Sequence, residues 1–156
     1  MARVLVTGAS GFLGGTLVRH LARTGVEVIA TGRNAARLDL LPLPPDARIA
    51  LDLAAPMSET DSRFAGVTII VHCAALSSPW GPYPAFHAAN VTATAALVAL
   101  ARRIGVAHFV LVSTPSVYFR FADQIGVSEE LPLPAPVNAY ARTKGLAEAC
   151  VAQSGL

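Results

Sequence analysis

The stretch from Val4 to Gly15 constrains the fold of this chain more than any other. A short apolar, β-branched run passes directly into glycines at positions 8, 11 and 14. Apolar residues then recur at helical spacing, at positions 13, 17, 18 and 21. This pattern predicts a strand, a tight turn and a helix, which together form the first half of a βαβ unit.

The three glycines each have a predicted task in binding a dinucleotide. Gly8 permits a turn that a Cβ atom would obstruct, Gly11 lets the backbone approach a pyrophosphate, and Gly14 lets the helix pack closely on its strand. Free N–H groups at the helix N-terminus would then face the phosphates. A strand–helix turn without a ligand is the alternative for this stretch taken alone.

The rest of the chain continues to alternate between strand and helix. The apolar patterns predict strands over 3–7, 26–31, 48–52, 67–72 and 107–113. They predict helices over 11–24, 58–64, 85–105 and 138–153, and leave room for one helical turn between 35 and 45. With right-handed crossovers and a switch point beside the first strand, this predicts an α/β fold, a Rossmann-like doubly wound parallel sheet in the order 3-2-1-4-5.

Composition limits the partners that the protein can have. The 156 residues suit one domain over 1–156, and the apolar fraction of 53% is typical of strands buried on both faces. A net charge of +2 without a run of basic residues argues against nucleic acid as a partner. The four histidines lack metal-ligand spacing, so we expect no metal.

Cysteine usage and hydropathy bear on location. Cys73 and Cys150 do not suggest a disulfide framework, and the N-terminus leads directly into the first strand without a secretory signal, so we expect a cytoplasmic protein. The longest apolar helix carries polar residues at positions 87, 90, 92 and 94. We therefore expect no membrane span.

The residues after the second and third strands indicate which dinucleotide binds. An NAD-binding protein places an acid after the second strand, whereas this chain has Gly32 followed by Arg33. A guanidinium there would grip a 2′-phosphate, with Arg37 as a weaker second contact, so we expect NADP(H) to be preferred and NAD(H) to be possible. Asp52 could accept the adenine amino group, with Leu53 beside the ring. The alternatives are a surface arginine at position 33 and, at position 52, a helix N-cap or a loop aspartate.

Three residues in the second half could carry chemistry. Tyr140 and Lys144 are four apart on the last helix, so they share one face. An ammonium there would lower the pKa of a phenol that exchanges a proton with a substrate. Thr114 follows the fifth strand, where its hydroxyl could bind a substrate carbonyl. A solvated helix face and a capping threonine are the alternatives for these residues taken singly.

Together these residues resemble the short-chain dehydrogenase/reductase family in its extended branch. The motifs that carry the resemblance are Thr7-Gly8-x-x-Gly11-x-x-Gly14, Asp52-Leu53, His72-Cys73-Ala74-Ala75, Asn90-Val91, Ser113-Thr114-Pro115-Ser116-Val117-Tyr118 and Tyr140-Ala141-Arg142-Thr143-Lys144. Their order and spacing are those of the family, and they extend over essentially the whole chain.

The resemblance implies a role for each matched residue. Tyr140 would donate or accept the proton, Lys144 would lower its pKa and hold the nicotinamide ribose, and Thr114 would orient the substrate oxygen. Ala74 and Ala75 would line the nicotinamide side, and Asn90 would be a buried residue with a mainly structural role. The cofactor-binding residues implied are Gly8, Ser10, Gly11, Phe12, Leu13, Gly14, Arg33, Asp52, Leu53, Ala74, Ala75, Asn90, Tyr140 and Lys144.

A narrower resemblance concerns the substrate. Trp80-Gly81-x-Tyr83 and the segment ending at Phe119 are similar to the 3β-hydroxysteroid dehydrogenase-like group, which includes bacterial 2-alkyl-3-oxoalkanoate reductases. This implies an NADP(H)-dependent oxidoreductase that transfers a hydride between nicotinamide and a carbonyl or hydroxyl carbon of an apolar small molecule. A nucleotide-sugar epimerase or dehydratase and a non-catalytic NADP-binding regulatory module are the alternatives.

The chain departs from the family pattern in two places. Ala93 stands where the family usually has glycine, and the sequence ends at Leu156, where the family continues into strands 6 and 7 and a substrate-binding C-terminal part. We therefore expect a fragment truncated before strands 6 and 7, with strand 5 at the sheet edge. Such an edge would pair with another chain, so a homodimer is possible.

Overall fold

Five parallel strands form one sheet in the order β3-β2-β1-β4-β5, which confirms the predicted topology. This computed structural model describes residues 2–56 and 62–156 of the chain. The strands are β1 (Arg3–Thr7), β2 (Glu27–Gly32), β3 (Arg48–Ala50), β4 (Ile69–His72) and β5 (His108–Leu111). As predicted, β5 is an edge strand of the described sheet.

Four helices connect or follow the strands. They are α1 (Phe12–Arg23), α2 (Ala35–Leu38), α3 (Tyr83–Ile104) and α4 (Ala139–Ala152). The helix α3 contains a π-helical turn, His87–Thr92. Single 3₁₀ turns occur at Pro45–Ala47, Ser62–Phe64 and Pro115–Tyr118. The predicted helix over 58–64 falls partly on residues 57–61, which lie outside the described residues.

Local chemistry explains where the helices begin and end. Side-chain oxygens of Asn34 and Asn138 accept hydrogen bonds from backbone N–H groups three residues later and so begin α2 and α4. The helix α3 starts two residues earlier than predicted, because Pro84 lies in its first turn, where a missing N–H costs nothing. Gly105 ends α3 in the left-handed conformation, with φ of 72°.

Three strands, β3, β4 and β5, are shorter than predicted. Two of them, β3 and β5, end early because polar groups just after them bond outside the ladder. The carboxylate of Asp52 accepts from the Ala54 N–H at 3.0 Å, so the chain turns after β3. The carbonyl of Val112 accepts from the ammonium of Lys144 at 2.7 Å, so the chain leaves the sheet after β5.

Both faces of the sheet are covered, which explains the high apolar fraction. One core contains Leu5, Ile29 and Ile70, packed under Leu97 and Leu100 of α3. The core on the other face packs the alternate strand residues against α1 and α2. Its buried members are Val4, Val6, Ala9, Val18, Val28, Ala30, Leu38 and Leu41.

The helix α3 is the one described helix that is long and apolar enough to cross a membrane, as judged by length and composition alone. Its mean hydropathy over the best window is 1.3. Phe86, Leu97 and Leu100 on this helix are nonetheless buried in the protein. The largest apolar side chains of α3 therefore pack within the fold, and 44% of the window is buried.

Gly8 brings the ends of β1 and β4 unusually close together. Its φ is +65°, a region that favours glycine, and a Cβ atom here would lie 2.7 Å from the Ala74 nitrogen. A Cβ atom on Gly14 would lie 2.5 Å from the Gly8 carbonyl oxygen. The first turn of α1, the loop after β1 and the loop after β4 therefore meet with no room for side chains between them.

A buried chain of polar groups joins the same elements. The hydroxyl of Thr7 lies 2.7 Å from Nδ1 of His72, and Nε2 of His72 lies 3.0 Å from the hydroxyl of Thr94. Thr7 also accepts a hydrogen bond from the Ala74 N–H at 3.2 Å, and Thr94 donates to the Asn90 carbonyl at 2.6 Å. This chain connects β1, β4 and α3 through the core.

The hydrogen bonds define the protonation state of His72. The Thr94 hydroxyl donates its hydrogen to the Asn90 carbonyl. Nε2 of His72 must therefore donate to Thr94. The opposite nitrogen, Nδ1, then accepts from Thr7. His72 is neutral in this arrangement, and burial, with a smaller effect of the Lys144 ammonium, lowers its pKa from 6.5 to about 4.

Asn90 extends the polar chain to α4. Its amide accepts from the Leu76 N–H at 2.7 Å and donates to the Leu76 carbonyl at 3.2 Å. It also donates to the hydroxyl of Thr143 at 3.0 Å. The side chain is 2% exposed, so Asn90 is the buried residue that the sequence predicts, and it joins the loop after β4 to α4.

We predict that Gly8→Ala destabilises the protein far more than Gly25→Ala. Both glycines have positive φ, but nothing lies within 4 Å of a Cβ atom at Gly25. Gly25→Ala should cost about 1–2 kcal/mol from the backbone alone, and Gly8→Ala about 3 kcal/mol or more, because backbone atoms must also move. Urea unfolding of both variants measures the difference, and equal losses would contradict the close approach.

We predict that His72 makes stability depend on pH. Because its folded pKa is depressed, the stability is fully present above pH 6.5 and is lost as the pH falls towards 4, where the unfolded chain gains a proton first. Between pH 7.5 and 4.5 the loss should be roughly 2–3 kcal/mol.

The test compares His72→Gln with a matched control, His20→Gln, on the exposed side of α1. His72→Gln should be less stable at pH 7.5 but should lose less stability on acidification, whereas His20→Gln should follow the unchanged protein. Urea unfolding at both pH values measures this. A pH dependence that survives His72→Gln unaltered would assign it to other groups.

Candidate dinucleotide-binding site

A cleft of about 520 Å³ opens where β1, β2, β3 and β4 end. Most of the sequence-predicted residues of the first half line it. These are Gly8, Ser10, Gly11, Arg33, Arg37, Asp52, Leu53, Ala74 and Ala75. Strand ends of a parallel sheet meet at one edge, and this is where ligands bind in such sheets.

The end of the cleft at β1 is built for an anion. Gly11 occupies the N-cap position of α1 and offers no side chain to the N–H groups of the first turn. Phe12 is 91% exposed, Leu13 is half exposed and Gly14 is buried, and none of the three lines the cleft. Any contact from them to a bound phosphate would use their backbone N–H groups.

The end of the cleft at β2 and β3 carries two cations. Arg33 and Arg37 are exposed at the rim, and Arg37 also donates to the Ser10 carbonyl at 3.5 Å. Asp52 is exposed as well, and it is a loop aspartate whose carboxylate accepts a hydrogen bond from the Ala54 N–H within a turn. Leu53 is buried beneath it.

The wall after β4 is small and apolar. Ala74 and Ala75 line the cleft as predicted, and Cys73 lies beside them. Burial raises the pKa of the Cys73 thiol, and the nearby Lys144 ammonium only partly opposes this. The thiol is therefore neutral near pH 7 and contributes volume to this wall without charge.

Lys144 holds α4 against the end of β5. Its ammonium donates to the Val112 carbonyl at 2.7 Å, and the residue is 2% exposed. Burial lowers its pKa, while Glu148 and, less strongly, Cys73 raise it. One turn further along α4, Glu148 accepts a hydrogen bond from the Ser113 hydroxyl. Consecutive residues after β5 are thus bonded to one face of α4.

Thr114 and Tyr140 lie beside this contact, outside the lining of the 520 Å³ cleft. Thr114 is partly buried and begins the 3₁₀ turn after β5, accepting from the Ser116 N–H at 3.2 Å and donating to the Ser116 hydroxyl at 3.1 Å. Tyr140 is half buried, one helical turn before Lys144. The structure therefore places Thr114 and Lys144 at one strand end, with Tyr140 on the same helix face as Lys144.

These residues fit a dinucleotide. Backbone atoms leave no room for a Cβ atom at Gly8 or Gly14, the helix N-terminus lacks a capping side chain, and two guanidinium groups stand at the far rim. The pyrophosphate of a bound dinucleotide would lie at the glycines, and its adenosine end would lie at the two guanidinium groups. Residues 2–56 and 62–156 contain no group of three His, Cys, Asp or Glu side chains suited to a metal.

Sequence reasoning missed several residues of the cleft. The first turns of α3 contribute a row of alanines whose helical spacing was a readable signal: Ala85, Ala88, Ala89 and Ala93. The contact between Ser10 and Gly32 had no such signal, because the two residues are 22 apart in sequence and meet only when β1 pairs with β2.

Comparison with known proteins identifies the family of this chain. The family model described as the NAD dependent epimerase/dehydratase family matches residues 4–155. The uncharacterized protein YbjS of Escherichia coli is 37% identical over 147 residues, covering 94% of this chain and 44% of that protein. The 2-alkyl-3-oxoalkanoate reductase of Stenotrophomonas maltophilia is 35% identical over 154 residues, with the same two shares.

Solved structures share the fold. MoeE5 in complex with UDP-glucose and NAD superposes with a TM-score of 0.81 and 33% identity, over 98% of this chain and 49% of that one. The chain thus spans less than half the length of the curated relatives it matches. The resemblance to the extended branch is confirmed by these matches, and the chain belongs to the NAD dependent epimerase/dehydratase family.

Proposed function

We propose that this chain binds NADP(H) and supplies the cofactor-binding part of a reductase for apolar oxo compounds. The observation that carries the proposal is the rim of the cleft, which has a glycine cradle after β1, two exposed arginines after β2, and glycine in place of an acid at position 32. An acid at position 32 would repel a 2′-phosphate, whereas guanidinium groups bind one through paired hydrogen bonds.

The bound nicotinamide would supply or accept the hydride, and residues of this chain would handle the proton. Tyr140 exchanges the proton with the substrate oxygen, and Thr114 donates a hydrogen bond that orients the same oxygen. Thr114 can do so by turning its hydroxyl away from Ser116, a neutral partner at 3.1 Å. This division of labour rests on the position of Thr114 just after β5 and of Tyr140 one helical turn before Lys144, which is bonded to the same strand end.

Lys144 supports Tyr140 in this scheme. Lys144 lies on the same face of α4 as Tyr140. Its buried ammonium donates a hydrogen bond to the Val112 carbonyl. A positive charge one helical turn away would stabilise the negative charge that develops on the phenol oxygen as it gives up its proton.

An apolar substrate is supported by the surface around Thr114. The turn that Thr114 begins leads to Phe119, whose ring packs edge-on against Phe121 with centroids 5.2 Å apart, and both rings are exposed. A second cleft of about 220 Å³, lined mainly by apolar residues such as Val117 and Leu146, lies between this turn and α4. The relative named as a 2-alkyl-3-oxoalkanoate reductase supports the same substrate class.

A nucleotide-sugar epimerase or dehydratase is the second candidate. The likeness to MoeE5, solved with UDP-glucose and NAD, favours it. A UDP-sugar presents phosphates and hydroxyls, and the exposed phenylalanines near Thr114 offer these no hydrogen bonds. The reductase is therefore the function that the geometry supports better.

We predict that Tyr140→Phe abolishes turnover and spares cofactor binding. Loss of the proton-transferring hydroxyl should lower kcat about 10²–10⁴-fold, while the Kd for NADPH stays within about threefold. The assay is NADPH oxidation by the full-length protein with a 2-alkyl-3-oxoalkanoate. Tyr83→Phe, which keeps a ring under Arg142, is the control and should retain its kcat. Undiminished turnover by Tyr140→Phe would refute the mechanism.

We also predict that Arg33→Ala weakens NADPH binding roughly tenfold or more and NADH binding little, because one charge-assisted contact to the 2′-phosphate is lost. Titration by nucleotide fluorescence at one ionic strength measures both constants. Arg23→Ala removes an exposed cation at the end of α1, away from the cleft, and should change neither. Parallel losses for both nucleotides would show that Arg33 does not read the 2′-phosphate.

A further inference from the structure

The side chain of Ser10 fills the space that a side chain at position 32 would need. A Cβ atom built on Gly32 would lie 2.6 Å from Oγ of Ser10 and 3.1 Å from both its Cβ and its nitrogen. The Ser10 hydroxyl can rotate away from the 2.6 Å contact. The two contacts at 3.1 Å are tighter than nine in ten real Cβ contacts, so Ser10 would still have to shift by a few tenths of an ångström.

The backbone does not explain why position 32 is glycine. Gly32 is absent from the glycines with positive φ, so any residue could adopt its conformation. It is the last residue of β2 and is buried, and its carbonyl accepts from the Leu51 N–H at 3.0 Å. Among the described residues, the obstacle to a side chain at this position is Ser10.

Position 32 decides which dinucleotide fits. In parallel dinucleotide-binding sheets, the acid that holds the ribose hydroxyls of NAD stands at the end of the second strand. In this chain Gly32 occupies that position and Arg33 follows it. The carbonyl of Ser10 accepts a hydrogen bond from Arg37 at 3.5 Å. Ser10 therefore contacts both position 32, where an acid would stand, and Arg37, one of the two cations.

We propose that Ser10 is a specificity-determining residue, which excludes an acid from position 32 and so keeps the nucleotide pocket selective for a 2′-phosphate. This rests on the proposed NADP(H)-binding function and deepens it. Specificity then belongs to the pair Ser10–Gly32 as well as to the arginines. An acid at position 32 binds a ribose better when the side chain at position 10 is removed.

The experiment is a double-mutant cycle on this protein with NADPH and NADH as the probes. Gly32→Asp is made alone and together with Ser10→Gly, and Gly32→Asn is made in the same two backgrounds as the uncharged control of equal size. Each protein is titrated with both nucleotides by fluorescence, and its thermal unfolding midpoint is recorded without nucleotide.

The expected result has two parts. Gly32→Asp alone should bind NADPH at least tenfold more weakly without gaining affinity for NADH, whereas the double variant should bind NADH at least tenfold more tightly than Gly32→Asp does. Ser10→Gly should recover part of the unfolding midpoint lost by Gly32→Asp and by Gly32→Asn alike, because the clash with the Ser10 side chain does not depend on charge.

One outcome would contradict the role of Ser10, and a different outcome would contradict the proposed function. If Gly32→Asp alone gains NADH affinity equal to that of the double variant, Ser10 does not restrict position 32 and the inference is wrong. If the unchanged protein binds neither nucleotide, the proposed function itself fails, whatever the variants do.

Discussion

The close approach of Gly8 to the backbone after β4 is the constraint on which the rest of the structure depends. The loops after the two central strands meet without side chains between them, since a Cβ atom on Gly8 would lie 2.7 Å from the Ala74 nitrogen. A Cβ atom on Gly14 would in the same way lie too close to the Gly8 carbonyl. The absence of a side chain at Gly14 lets α1 begin directly after the loop. The phosphate-facing helix end and the small wall of Ala74 are therefore parts of one packed junction.

The buried polar chain makes this junction rigid and extends it to the second half of the protein. Thr7, His72 and Thr94 satisfy one another's hydrogen bonds, and Asn90 continues the connection to Thr143 on α4. A network whose members all have partners specifies one arrangement, whereas a partly satisfied one is costly. The helix that carries the catalytic candidates is thus joined to the cleft through the core.

Much of the fold could be predicted from local pattern. The glycine spacing after β1, the β-branched runs and the alternation of elements were enough for the sheet order, and the residues at the strand ends supplied about half of the cleft lining. The ends of β3 and β5 could not be predicted, because they depend on where Asp52 and the Val112 carbonyl find partners. Those partners belong to tertiary packing, which local pattern does not contain.

The sequence by itself determined the fold class, the glycine cradle and the identity of the candidate cofactor and catalytic residues, because each of these depends on residue type at short spacing. Only the tertiary structure decided the neutral state of His72 and the clash that makes Gly32 depend on Ser10. The physical reason is that both depend on atoms far apart in the chain. Desolvation and steric exclusion act between groups that become neighbours only when the strands pair.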